Sequence, residues 1–263
     1  MTPPVALTIA GSDSGGGAGI QADLKTFAVH GVFGTSVVTA LTAQNTRQVR
    51  RIWPVDPDCV AAQLDAVLDD LPVAAVKTGM LATAPVVALV AARAADLPNL
   101  VVDPVLVSSV GDPLFDGAAP AAYRADLFRH ALVVTPNARE AGLLLGRPVS
   151  TVDDAIAAAR ELAAGGARWV VVKGGHLDPA GGAVDVVCHD GEVELLTAPW
   201  LATVNNHGTG CTFAAAVAAG LAHGDAVFDA LTAAKSYVHR ALAGSADWRL
   251  GAGHGPLSWK VSQ

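Results

Sequence analysis

Short runs of Val, Ile, Leu and Ala alternate along this chain with longer Ala-rich segments, the pattern of buried strands feeding helices into a largely parallel sheet. The pattern predicts strands over 5–10, 37–42, 74–78, 100–103, 132–135 and 169–173. Between them it predicts helices over 21–30, 58–68, 85–95, 123–129, 138–145 and 153–164. The rhythm then changes: 184–189 and 193–197 flank Asp190-Gly191, a two-residue hairpin signal, and two consecutive helices follow. The first opens at Gly208 and reaches residue 221. The second reads as capped by Asp225, with an apolar stripe at Val227, Leu231, Ala234, Val238 and Leu242 and Gly244 past its end. A hairpin in this place breaks the even alternation that a closed eight-fold barrel needs. The expected class is therefore α/β, an open, doubly wound, mostly parallel sheet with helices on both faces. No linker, low-complexity segment or repeat divides residues 1–263, so one domain is expected.

Composition narrows the possibilities. Of 263 residues, 52% are hydrophobic and 16% charged, which describes a packed chain rather than a disordered one. The net charge of −7, with no cluster of Lys or Arg, argues against a nucleic-acid or membrane surface. Cys59, Cys188 and Cys211 are far apart and form no CxxC pair, so neither a disulfide framework nor a zinc site is indicated. Met1-Thr2-Pro3-Pro4 carries no basic leader, and no apolar stretch is long enough to span a bilayer. A cytoplasmic location is the expectation.

Candidate chemistry concentrates at Gly208-Thr209-Gly210-Cys211. Glycines let backbone approach a ligand closely, the first N–H groups of a helix lack partners, and the helix dipole adds partial positive charge there. Such a turn suits a phosphate, and a thiol inside it is expected to lose its proton more readily. A Gly-rich turn also serves as simple punctuation and a Cys as a small core residue, but His207, Thr209 and Thr212 crowd this one with polar groups. The ends of the predicted strands add Asp13, Gln44 with Asn45, Lys77, Asp103, Asn137 with Glu140, and Lys173 with His176. In an open parallel sheet those ends converge on one rim, where ligands bind. Each alone has a turn or helix-start explanation.

Together with an anion site, the set fits phosphoryl transfer, in which catalysis is mostly positioning and charge neutralisation. Asp103 and Glu140 would hold magnesium, Lys173 would meet nucleotide phosphates, and a Cys211 thiolate could accept the proton of an attacking hydroxyl. Two other motifs fail. Ile20 stands where the dinucleotide fingerprint needs Gly, with no Gly-Lys-Ser/Thr to make a P-loop, and Asp13 occupies the serine position of a nucleophile elbow.

Seven segments then carry a resemblance: AGSDSGGGAGIQADLKTF from Ala10, TALTAQNT from Thr39, VKTGML from Val76, VVDPVLVSSVGD from Val101, TPNAREA from Thr135, VKGGH from Val172 and HGTGCTF from His207. In this order, over nearly the whole chain, they resemble the hydroxymethylpyrimidine/phosphomethylpyrimidine kinases of thiamine biosynthesis, in the ribokinase superfamily. The resemblance implies a ribokinase-like fold, a homodimer, and ATP-dependent phosphorylation of 4-amino-5-hydroxymethyl-2-methylpyrimidine to its monophosphate and then its diphosphate. It implies that Gln44 hydrogen-bonds the pyrimidine, with Gly11, Asp13, Ala18, Met80 and Val107 completing the pocket. It implies Cys211 as base and Gly208, Thr209 and Gly210 with it as the anion hole. Thr135, Asn137 and Lys173 fall on the nucleotide side, and Lys235 near the adenine.

The chain departs from the resemblance at Ser109, where many relatives have Lys, at Asn206 in place of Thr, and at Ala138-Arg139 in place of Leu-Pro. These bear on lid behaviour and turnover more than on reaction class. Three rival readings are a pyridoxine or pyridoxal kinase, which shares the Gly-Thr-Gly-Cys turn in some cases, a hydrolase or acyltransferase using Cys211 as nucleophile, and a non-catalytic nucleotide sensor.

Overall fold

The computed structural model describes residues 2–108, 111, 113–115, 117–175, 177 and 182–260. In chain order its elements are β1 (Val5–Asp13), α1 (Gly19–Val29), β2 (Phe33–Asn45), β3 (Gln48–Pro54), α2 (Pro57–Leu68), β4 (Val73–Thr78), α3 (Ala84–Ala92) and β5 (Leu100–Val102). There follow α4 (Ala119–Ala122), β6 (Val133–Val134), α5 (Ala138–Leu145), α6 (Val152–Ala164), β7 (Trp169–Gly174), β8 (Ala183–His189), β9 (Glu192–Ala198), α7 (Thr209–His223) and α8 (Val227–Ser245). Among the described residues the strands form one sheet in the order β3-β2-β1-β4-β5-β6-β7-β8-β9. The run from β2 to β7 is parallel, and β3, β8 and β9 add antiparallel edges. The expected doubly wound α/β arrangement is present.

The period of two along each strand divides the core between the faces. Leu7, Ile9, Val76, Val102, Val134, Val170 and Val172 point to the side covered by α2, α3, α5 and α6. Ala6, Ala75, Val101, Val133 and Val171 point to the side covered by α1, α7 and α8. Helix α7 is buried without interruption from Cys211 to Leu221. Its alanines let it lie close to the sheet and to α1 and α8 at once, which aims its N-terminus at the carboxyl ends of the central strands. The strand order reverses direction between β1 and β4, and the crevice outside those ends is where a doubly wound sheet binds ligands.

Several boundaries differ from the sequence pattern. Strand β2 runs on to Asn45 and pairs with β3, which the pattern did not predict. Gln48–Pro54 is an exposed edge with Arg50, Arg51 and a terminal proline, so no buried face marks it as a strand. The predicted helix over 123–129 is instead a short α4 followed by a π turn over Tyr123–Leu127 and a 3₁₀ turn over Phe128–His130. Asp225 lies in the turn after left-handed Gly224, so Ala226 takes the cap position of α8, and that helix runs through Gly244 to Ser245. No helix among the described residues is long and apolar enough to cross a membrane.

Candidate active site

The rim cavity is built from seven chain segments. The end of β1 and the loop after it give Gly11, Asp13 and Ala18; β2 gives Gln44; the turn after β4 gives Met80. The segment after β5 gives Asp103 and Val107, and the starts of α5 and α7 give Asn137, Glu140, Gly208, Thr209, Gly210 and Cys211, with Lys173 at the end of β7. Fourteen of the sixteen sequence-assigned residues thus border one space. Thr135 and Lys235 do not. Thr135 is fully buried beneath Asp103, donating to its Oδ1 at 2.9 Å. Lys235 is tied down by Asp185 at 2.8 Å. Ser12, Thr42, Ser108 and Leu114 also line the cavity and were not singled out from sequence; as small or apolar residues they carry no chemical signal of their own. Ser109 and His176 lie outside the described residues.

At the centre of the rim, Lys173 Nζ donates to Asp103 Oδ1 at 2.7 Å. Burial would favour the neutral amine, but Asp103 and Glu140 outweigh it and hold the Lys173 pKa above its ordinary value. Glu140 closes a capping box at the start of α5: Asn137 N–H donates to its carboxylate at 2.8 Å, while its own N–H donates to Asn137 Oδ1 at 2.8 Å. Burial pushes the Glu140 carboxyl up to about 8; Lys173 opposes that rise and Asp103 adds to it.

Lys77 does not join this group, contrary to the reading of strand ends. It is completely buried, donating to both Asp23 oxygens at 3.0 and 2.9 Å, and Asp23 accepts a further bond from Thr8 at 2.6 Å.

The Gly208–Cys211 turn opens α7 at the rim of the cavity. Gly208 caps α7 in the left-handed region at φ 88°, and a Cβ there would lie 1.9 Å from the Gly17 carbonyl oxygen, so no other residue fits. The thiol behaves otherwise than expected. Burial pushes Cys211 up to about 11; Lys77 pulls it down, Asp23 and Asp103 raise it again, and a bond from the Gly19 N–H is too weak to reverse the result. At rest the site therefore holds a protonated thiol, because desolvation outweighs the helix terminus.

The side of the cavity formed by β1 and β2 is organised around Asp13. Its carboxylate accepts from the N–H groups of Gly15 at 2.7 Å, Gly17 at 3.0 Å and Ala18 at 2.9 Å, and meets His207 Nε2 at 2.9 Å. Asp13 borders the cavity, but its oxygens are engaged in shaping the glycine loop. Gly11 and Met80 form one wall, with the Met80 methyl where a Gly11 Cβ would be, 2.5 Å away. The C-terminal segment ties the Asn206-His207 turn in place: His207 N–H donates to the Gly255 carbonyl at 3.0 Å, and His254 meets Asn206 Oδ1 at 2.8 Å.

Comparison with known proteins places the chain in a family. A hydroxymethylpyrimidine/phosphomethylpyrimidine kinase of Streptomyces coelicolor is 49% identical over 100% of this chain and 97% of its own length. The structure of an ADP complex of Bacillus subtilis pyridoxal kinase is 39% identical, with a TM-score of 0.89 over 98% of this chain and 97% of that one. A Staphylococcus aureus pyridoxal kinase in complex with AMP-PCP and pyridoxal is 33% identical, with a TM-score of 0.89 over 98% and 94%. The phosphomethylpyrimidine kinase family model matches residues 13–258, and the chain belongs to that family.

Proposed function

We propose that this protein transfers phosphoryl groups from ATP to 4-amino-5-hydroxymethyl-2-methylpyrimidine, giving the monophosphate and then the diphosphate. The observation that carries this reading is the meeting, in one cavity, of an amide-bearing pocket at Gln44 with the Lys173–Asp103–Glu140 cluster and the N-terminus of α7. The Streptomyces coelicolor relative bears the name of this activity. With the ring against Met80 and Gln44, the hydroxymethyl oxygen would face Cys211, and the N–H groups of the Gly208–Cys211 turn would face the transferring phosphoryl group. Lys173 would neutralise phosphate charge, and Cys211 would take the alcohol proton on its sulfur. Because that thiol is protonated at rest, turnover is expected to rise with pH as the thiolate becomes available.

Asp103 and Glu140 suit a magnesium ion. They are hard oxygen donors, and a Glu140 carboxyl held near 8 beside Asp103 marks a place short of positive charge. Among the described residues no three metal-donor side chains gather, which suits an ion keeping waters and phosphate oxygens as its other ligands. When bound, the ion would offset charge on the phosphate oxygens.

The test is mass spectrometry of products from MgATP with the pyrimidine alcohol and, separately, with its monophosphate. Phosphorylation of both supports the reading; phosphorylation of neither overturns it. The fold match to pyridoxal kinases favours one second reading, phosphorylation of pyridoxine or pyridoxal at the same site.

A further inference from the structure

Three segments distant in the chain meet at one imidazole. His207 Nε2 lies 2.9 Å from Asp13 Oδ2 and 3.1 Å from the side-chain amide of Gln44. The ring is buried, and Gly17 packs so closely that a Cβ there would fall 2.4 Å from His207 Cδ2, so the ring has little room to turn. Asp13 is a pure acceptor: burial would raise its carboxyl, but His207 and the N–H groups of Gly15 and Ala18 hold it below its ordinary value.

A bare nitrogen lone pair facing a carboxylate at that distance is repulsive, so Nε2 carries the hydrogen and donates to Asp13. The same nitrogen then has no lone pair for an amide NH₂. A half-turn about the last bond of Gln44 leaves the heavy atoms in place and brings Oε1 to the ring, where it shares the Nε2–H.

We propose that His207 is a positioning residue for substrate selection: its Nε2–H, anchored on Asp13, holds Gln44 Oε1 inward and turns the Gln44 NH₂ toward the substrate, so the pocket selects a heterocycle presenting a ring-nitrogen acceptor there. The opposite amide orientation would read the exocyclic amino donor instead. The inference rests on the pyrimidine-kinase reading above.

The experiment compares kcat/KM, with MgATP, for 4-amino-5-hydroxymethyl-2-methylpyrimidine and two pyridine analogues, each with one ring nitrogen replaced by CH. The wild-type enzyme is expected to disfavour one analogue by about ten-fold, mainly through KM. Gln44→Glu keeps an oxygen for His207 but offers the substrate no donor, so that preference should shrink to within about two-fold. His207→Ala should erase the preference too, without changing KM for ATP, and His207→Gln, which returns an N–H toward Asp13, should restore it. A Gln44→Glu enzyme that keeps the preference overturns the proposal, and it decides the matter even if His207→Ala does not fold. A wild-type enzyme that phosphorylates all three compounds equally overturns the His207 assignment alone. One that phosphorylates none overturns the pyrimidine reading and this inference with it.

Discussion

Val76-Lys77-Thr78-Gly79 and Val172-Lys173-Gly174-Gly175 end two parallel strands of the same sheet with nearly the same sequence, yet their lysines do different work. Both side chains leave on the face covered by α7. Lys77 ends under α1, where Asp23 and Thr8 complete a pair with no exposed side-chain surface. Lys173 ends where α7 begins; a Cβ on Gly210 would lie 3.0 Å from its Nζ, and the missing side chain leaves the ammonium open to the cavity beside Asp103. The difference lies in the helix above each strand rather than in the strand. A lysine closed over by a carboxylate from α1 is a structural ion pair, and one left beside a helix N-terminus faces the cavity, where the proposed function would have it meet a phosphate.

The largest effect is expected at the thiol near both lysines. Cys211→Ala should lower kcat by about 10²–10⁴-fold while leaving AMP-PCP affinity unchanged. With the wild-type thiol at about 11, log kcat should climb with pH from 7 toward 10, and the variant should lose that climb. Stopped assays over that range would show it; a flat wild-type profile would remove Cys211 from the base role.

Lys173→Met should cost about 10²–10³-fold in turnover, with a smaller loss of stability than at Lys77 because this ammonium faces the cavity and the pair is not fully buried. Lys77→Met should weigh mainly on stability, destabilising the fold by about 3–5 kcal/mol through the unpaired Asp23, and pairing it with Asp23→Leu should recover much of that loss. Denaturant unfolding beside kinetics separates the two. If Lys77→Met left stability intact and abolished turnover, the contrast between the lysines would collapse.

A further effect is in pH dependence. Glu140 keeps its proton up to about 8 in the fold, against an ordinary value of 4.5, so between those values folding requires proton uptake and stability falls as pH rises. Glu140→Gln should flatten that decline, measured as thermal midpoints at acid and neutral pH. An equal decline in both proteins would show that Glu140 is ionised in the fold.

The central strands and most helices were legible because buried parallel strands are written as unbroken apolar runs. The site was legible where polar residues stood at strand ends against that background, as with Asp103, Lys173 and Gln44. Strand β3 was not legible, since its order comes from pairing with β2 and not from a buried face. The role of Lys77 was not legible, because the distant Asp23 decides it. Cys211 was placed correctly but its proton affinity was not, since burial is a property of the whole packed helix and outweighs the local terminus. The link from His207 to Asp13 spans 194 positions, a pairing that local pattern does not encode.

The most direct test is the rate of MgATP-dependent phosphorylation of 4-amino-5-hydroxymethyl-2-methylpyrimidine and of pyridoxine, measured side by side on the same enzyme. A clearly higher kcat/KM for the pyrimidine is the expected result. An equal or higher value for pyridoxine would contradict the account and assign the site to the second reading.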